Sequence, residues 1–352
     1  MTTAAFEREL VLFQELHRRV DIAGLFKPTH LFYVLDAMFC LSLLAACMLA
    51  LTKAPEAAIW SASSAVFTAM VKTRLSYIAH DAGHKEVFPG DAREQRKNVG
   101  VLVALTFVLG ISGQWWTGAH DAHHLHPNHV LKDPNLRVWI LAFSDSQRGL
   151  KGSIMRFVVR FQFLYYPIVV ALEIFLMRIY SIYYIVTRSS KTWREEGVGM
   201  IFYFATHIYF LAHFLGWEQT AVFLIVQEVF LGIFLGSVFA PNHKGMRVIE
   251  EGEEVSFLEE QLTTTRNVKP NPVVDFIMGG LNYQVEHHLF PMVPRVRLRK
   301  LREIVKAFCQ EYNLYYYEVS IFQSYWEILK SLFWSGNGHQ KTIPYEWEPL
   351  AA

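Results

Sequence analysis

The chain holds only three cysteines in 352 residues, and two of them, Cys40 and Cys47, share one apolar stretch. That scarcity excludes a disulfide framework, a zinc ribbon and a CxxC redox pair. Charge excess is absent too. Lys and Arg number 33 against 32 Asp and Glu, a formal net charge of +1, so nothing suggests a nucleic-acid partner. The first thirty residues contain Arg8, Arg18, Arg19 and several acids but no apolar core followed by small residues, and no signal peptide is expected. Repeats, low-complexity tracts and internal linkers are missing, which predicts one domain over residues 1–352.

Long apolar runs are abundant instead. Hydrophobic residues make up 52% of the chain and aromatics 15%, with 27 Phe and 16 Tyr. A helix needs about 20 mostly apolar residues to cross a bilayer. Residues 31–51, broken only by Asp36, meet that test, as do 57–79, with Lys72 and Arg74 near the end where basic side chains snorkel. Residues 199–216 and 219–240 complete the set. Residues 99–113 are too short to span, and 157–179 carry Arg160, Glu173 and Arg178, so both are expected as interfacial helices.

Four spans put both termini on one side. The two far-side loops would hold only Lys53, Glu56 and Glu218, whereas the near side collects nearly every Lys and Arg, including Arg188, Lys191 and Arg194. The positive-inside rule makes that side the cytoplasm. The expected fold is an all-α integral membrane protein, with four transmembrane helices under a cytoplasmic helical cap.

Histidines cluster just beyond these runs, on the predicted cytoplasmic side. The clusters are His80-Asp-Ala-Gly-His84, His120-Asp-Ala-His123-His124 and Gln284-Val-Glu-His287-His288, with His243 following the last span directly and Pro241 expected to end that helix. Positions i, i+3 and i+4 share a helix face, so the first two clusters present imidazoles on one side. Imidazole suits Zn, Cu, Fe and Ni, and one octahedral ion accepts about six ligands. Eight histidines therefore point to two metals. Metal-bound histidines donate their second ring N–H to a carboxylate, carbonyl or water, and Asp81, Asp121 and Glu286 stand inside the clusters to serve as such partners. Gln284 has three readings: ligand, holder of a metal-bound water, or orienter of a neighbour. His126 and His129, in the turn-forming HLHPNH loop, are expected to stand outside the ligand set.

Two further features need an explanation. Glu228 and His207 fall near the middle of adjacent antiparallel spans, and intramembrane ionisable groups normally pair; a direct Glu228–His207 contact is expected. Residues 295–310 (RVRLRKLREIVKAFCQ) carry apolar residues at helical spacing among six basic ones. That pattern fits a membrane-surface helix, a docking face for an electron donor, or a solvated basic helix covering the cap.

The motifs H-D-x-G-H, H-x-x-H-H and Q-x-x-H-H-L-F-P, present as His80–His84, His120–His124 and Gln284–Pro291, resemble those of the membrane fatty acid desaturase family. Trp115-Trp116, His126-Pro-Asn128 and Lys132-Asp-Pro-Asn135 strengthen the resemblance, which covers roughly residues 31–302. Glutamine at the head of the third motif is similar to the front-end (cytochrome b5-type) branch, and Asn242-His243-Lys-Gly to its bacterial members. The resemblance implies a di-iron site ligated by His80, His84, His120, His123, His124, His243, His287 and His288, O2 as co-substrate, and an acyl chain held in an internal tunnel. No H-P-G-G haem motif occurs, so electrons are expected from a separate donor, a ferredoxin, cytochrome b5 or reductase.

The implied activity is O2-dependent desaturation of a fatty acyl chain, carried as acyl-CoA, phospholipid or acyl-carrier thioester, with membrane lipid around the spans. Lys85, Arg93, Arg96 and Lys97 are candidates for gripping a phosphate-bearing head group. An acyl-chain hydroxylase would use the same site. A non-catalytic metal- or haem-binding membrane protein or transporter predicts polar residues along the spans, of which Gln227, Glu228 and His207 are among the few.

Overall fold

The structure is a computed structural model that describes residues 3–53 and 58–339. Ala57, the expected first residue of the second span, and Glu56 before it lie outside the described residues. The helices are α1 (Thr3–Ile22), α2 (His30–Leu51), α3 (Ala58–Gly83), α4 (Ala92–Leu109), α5 (Gly113–Leu125), α6 (Asp145–Gly149), α7 (Ser153–Val158), α8 (Gln162–Val186), α9 (Trp193–His243), α10 (Phe257–Thr264), α11 (Pro272–Met278), α12 (Gln284–Leu289), α13 (Leu298–Glu311) and α14 (Ile321–Asn337). The strands β1 (Asn267–Val268) and β2 (Glu318–Val319) pair in parallel. The chain divides into two compact units. One comprises residues 28–118 and 167–237, the other residues 1–27, 119–166 and 238–352.

In the first unit α2, α3 and α4 share a core built from Tyr33 and Cys40, Val71, Leu75 and Ile78, and Leu102 and Leu109. The long helix α9 is 51 residues, about 76 Å at 1.5 Å per residue and so more than twice a bilayer core. It does not run straight. Gly216 adopts φ 72° and ψ 165°, and the two halves fold back on each other, with Leu211 and Leu215 before the break packing with Phe223 after it. The predicted spans 199–216 and 219–240 are these two halves. Pro241 does not end the helix, which continues to His243.

Among the described residues, α2, the stretch Ser153–Val186 and α9 are each long and apolar enough to cross a membrane, and α4 with α5 would be so only as one pair bent by 115°. The helix α3, expected as the span 57–79, is not among them, since it carries Lys72, Arg74 and several serines. Segment 157–179, expected in the interface, thus belongs to a stretch of span length. The charge that argued against its burial is neutralised within the unit. Arg178 is 6% exposed, and its Nε and Nη2 donate to Glu228 Oε2 and Oε1 at 2.9 Å each. Its Nη1 reaches the carbonyls of Leu109 and Gly110 at 3.0 and 2.8 Å, satisfying acceptors at the end of α4. Gly110 is required there: its φ is +64°, and a Cβ would lie 2.3 Å from Tyr203 and 2.5 Å from Arg178.

The expected Glu228–His207 contact is therefore replaced by a relay. His207 meets Gln227 Oε1 at 3.0 Å, and Gln227 Nε2 donates to Glu228 Oε1 at 2.9 Å. Lys72 does not snorkel either: its ammonium is buried and donates to Tyr203 Oη at 2.7 Å and Gln227 Oε1 at 3.2 Å. Arg74 turns to Asp36 at 2.8 Å. These polar groups are mutually satisfied, the condition for burying them.

The second unit is built on α1, α10, α12 and α13. Leu16 and Val20, Leu258 and Leu262, Val285 and Leu289, and Leu301, Val305 and Phe308 form one buried core. The helix expected over 295–310 is α13, and its apolar stripe lies in this core. That burial fits a helix covering the cap and not one with its apolar stripe in a membrane.

A buried ion pair left half-broken costs about 3–5 kcal/mol. R178M should therefore lower the unfolding temperature of the detergent-solubilised protein sharply, whereas R178M/E228L, with both charges gone, should regain much of the loss.

Candidate metal centre

Three of the histidine-bearing elements belong to the second unit, and their local structure sets the imidazole directions. On α5, His120 and His124 stack one turn apart with Nε2 atoms 3.1 Å from each other. His123, one residue round the helix, instead faces His243 at the end of α9, with Nε2 atoms 3.2 Å apart. The helix α12 supplies His287 and His288. The outcome is two trios. His120, His124 and His287 bring ligand nitrogens within 4.8 Å of one another, and so do His123, His243 and His288. All six are buried. The trios adjoin, since the rings of His124 and His288 stack at 4.0 Å.

The remaining ring nitrogens show which ones are left for a ligand. His123 Nδ1 donates to Asp133 Oδ2 at 2.9 Å, His243 Nδ1 to the Thr264 carbonyl at 3.3 Å, and His288 Nδ1 to Gln261 Oε1 at 2.9 Å. With Nδ1 protonated, each neutral imidazole presents an Nε2 lone pair. The Nε2 atoms of His123 and His243 then lie 3.2 Å apart, with the Gln284 side-chain amide 3.0 Å from the latter, and a cation seated there would take both lone pairs. Two nitrogens each about 2.1 Å from one ion lie roughly 3.0–3.4 Å apart for angles of 90–110°. The observed 3.1 and 3.2 Å separations fall in that range, so the donor set fits a transition metal at each trio.

Asp133 anchors this geometry. Burial alone would raise its pKa, but His123, Lys244 and the Asn135 amide outweigh it and hold the carboxyl at about 2. Its Oδ2 also accepts from the Asn128 amide at 2.8 Å, and Asn128 Nδ2 donates to the His243 carbonyl at 2.9 Å. One carboxylate thus ties α5 to the end of α9. Arg266, fully buried, secures the same end: Nε donates to the Pro241 carbonyl at 2.5 Å, Nη2 to the Lys244 carbonyl at 2.6 Å, and Nη1 to Glu327 at 2.9 Å. Gln261 links the trios, its Oε1 on His288 and its Nε2 on the His124 carbonyl.

In the first unit, α3 carries His80 in its last turn and delivers His84 immediately after it. The His84 amide still bonds the His80 carbonyl at 3.1 Å, so the i, i+4 relation survives, and the rings lie 4.7 Å apart. Lys85, at φ 66°, closes the helix, letting the Glu86 amide return to the Asp81 carbonyl at 2.9 Å. His80 Nδ1 meets Asp81 Oδ1 at 3.0 Å. Both histidines are buried.

Of the partners expected from sequence, Asp81 contacts a histidine, Asp121 is solvent-exposed, and Glu286 serves α12 itself. Glu286 accepts from Asn267 at 2.7 Å and Tyr316 at 2.8 Å. Burial raises its pKa to about 7 against those hydrogen bonds. Gln284 orients a neighbour: its Nε2 lies 3.0 Å from His243 Nε2 while Asn242 Nδ2 donates to its Oε1 at 3.1 Å. His126 and His129 belong to neither trio. Sequence reasoning missed Asp133, Gln261, Asn128 and Arg266 because none stands at a motif spacing. The signal for Asp133 was the Asp-Pro-Asn turn, whose carboxylate also caps the Asn135 amide at 2.8 Å.

Residues 57–320 match the fatty acid desaturase family, and the chain belongs to that family. It is 30% identical over 335 residues to an acyl-lipid (9-3)-desaturase of Physcomitrium patens, covering 91% of this chain but 62% of that protein. A Delta(6)-fatty-acid desaturase of Caenorhabditis elegans is 24% identical over 92% of this chain and 74% of its own length. A Delta 8-(E)-sphingolipid desaturase of Emericella nidulans is 27% identical over 86% and 58%. The chain thus spans less than two thirds of the moss and fungal relatives' length.

Removing a partner that orients a metal-bound histidine typically costs 10–100-fold in metal affinity. D133N should weaken metal binding by about that factor, measured by competition with a chelator, and H243A should lower the metal content of the purified protein itself.

Proposed function

We propose that the chain is an O2-dependent desaturase of fatty acyl chains, in which two irons are held by His80, His84, His120, His123, His124, His243, His287 and His288. The carrying observation is the pair of adjoining buried imidazole trios, with ring nitrogens 3.1 and 3.2 Å apart. Iron fits an all-imidazole donor set, and His80 and His84 supply two further ligands of the same kind. When bound, the irons supply the O2 activation needed to take hydrogen from an unactivated methylene. Overall, the acyl chain gives up two hydrogens, a separate donor gives two electrons, two protons come from solvent, and O2 leaves as two waters.

The protein's own groups hold and orient. Asp133, the Thr264 carbonyl and Gln261 fix the tautomers of His123, His243 and His288, keeping Nε2 toward the metal. Gln284 and Asn242 restrain the His243 ring. Burial of all the imidazoles excludes bulk water, protecting a reactive centre from side reactions. The relatives named for acyl-lipid, fatty-acid and sphingolipid substrates share a long alkyl chain, which is the substrate class we assign. Acyl-CoA and phospholipid carriers both fit it.

For topology we propose four spans, α2, α3 and the two halves of α9, with termini and metal centre cytoplasmic. The helix α8 exposes Leu164, Ile168, Leu172, Phe175, Ile179 and Tyr183 along one side and turns Arg178 to the other. That one-sided pattern supports a helix lying in the membrane surface, which keeps the span count even.

Expression in a host with a simple lipid profile should yield a new fatty acid two mass units lighter than its precursor, read by mass spectrometry. A gain of sixteen would instead identify a hydroxylase. H123A and H287A should each abolish the product while leaving the protein in the membrane fraction; retained product in either would refute the ligand set.

A further inference from the structure

The C-terminal helix α14 is amphipathic in an unusual sense: its polar face points inward. Ser324, Glu327, Ile328, Leu332 and Ser335 are buried. Glu327 is held by Arg266 at 2.9 Å and Tyr317 at 2.8 Å, so the helix cannot roll. The opposite side exposes Phe322 (83%), Trp326 (60%) and Phe333 (46%), with Leu329 between them. Positions 322, 326, 329 and 333 follow the i, i+4, i+7, i+11 spacing of a single stripe. Lys330 stands beside it with its ammonium 6.0 Å from the Trp326 ring and 5.7 Å from that of Trp334. Tryptophan and lysine together at an apolar edge suit a membrane–water boundary.

What covers this stripe is indicated by what the helix is fastened to. Its last two turns are bolted to the segment that opens the apolar stretch Ser153–Val186. Gln162 Nε2 donates to the Leu332 carbonyl at 2.8 Å and to Ser335 Oγ at 3.1 Å. Phe163 and Phe333 pack edge to face, their centroids 5.3 Å apart. Gly336 comes so close to the Val159 carbonyl that a Cβ would lie 2.1 Å from its oxygen. That same segment exposes Ile154, Phe157 and Leu164. The start of α14 adds a second continuity. Because β1 and β2 are parallel, α11 and α14 leave the ladder from one end, and α11 exposes Val273, Phe276 and Ile277 there.

We propose that α14 lies in the headgroup region of the bilayer, with Phe322, Trp326, Leu329 and Phe333 toward the acyl chains. It is then a monotopic anchor by which the cap grips the lipid surface, separate from the spanning helices. Seventeen residues with one apolar stripe suit that placement. The inference rests on the membrane-embedded reading above.

The test is a nitroxide scan in lipid nanodiscs. The three native cysteines are buried, so F322C, Q323C, W326C, L329C, K330C and F333C can each be labelled in the full-length protein, with I225C in the second half of α9 as a reference. Collision rates with oxygen and with a nickel chelate are compared. The oxygen-to-nickel ratio should peak at 322, 326, 329 and 333 and fall at 323, repeating about every 3.6 residues. Nickel access along the stripe, with I225C still shielded, overturns the proposal and leaves the membrane reading intact. Shielding from both probes overturns it as well, since the stripe would then be covered by residues 340–352 or by a second copy. Nickel access at I225C sinks the membrane reading, and the anchor with it.

Discussion

A buried imidazole must satisfy two nitrogens, and this requirement organises the cap. Each Nδ1–H that finds an acceptor in Asp133, Thr264 or Gln261 leaves an Nε2 lone pair buried among its neighbours. Such lone pairs do not hydrogen-bond one another, and leaving a buried polar group unmatched costs about 1–3 kcal/mol. A cation held between two such nitrogens would match them, which is why these buried imidazoles fit a metal. The rest of the unit follows from holding them in register. Asn128 and Arg266 pin the end of α9, Asn267 and Tyr316 hold α12 through Glu286, and α10 carries Gln261.

The same accounting applies inside the apolar unit, where the solution is different. Lys72, Arg178, Glu228, Gln227, His207 and Tyr203 are brought together from α3, α8 and both halves of α9 and satisfy one another. In a low-dielectric setting the alternative to mutual pairing is an unmatched charge. A polar network of this kind can be built only where helices meet in one register, so it selects a packing as well as stabilising it. The Gly216 break makes it possible, because it returns Gln227 to the level of His207.

Much of the site was legible in the chain because helical periodicity is local. The i, i+4 spacings of His80 with His84 and of His120 with His124 place each pair on one helix face, and both pairs hold that relation in the structure. The ends of apolar runs were legible for the same reason, as was the apolar stripe of α13. Expectations failed where a partner lies far along the chain. Arg178 reads from sequence as an unpartnered charge, yet Glu228, fifty residues on, lies beside it. Glu286 looked like a histidine's partner by adjacency, yet adjacent residues on a helix point apart, and its carboxylate serves Asn267 and Tyr316 instead.

The sequence by itself determined the helical segments, the histidines and the i, i+4 pairing of His80 with His84 and of His120 with His124, because these depend on spacing along one helix. Tertiary structure alone decided that His123 parts from His120 and His124 to join His243 and His288, that Asp133 and Gln261 hold the rings, and that α14 turns its aromatic stripe outward. Those outcomes depend on which groups meet across separate elements, whether 10 residues apart, as His123 and Asp133, or 120, as His123 and His243. No local pattern encodes that, since it is settled only when the helices pack.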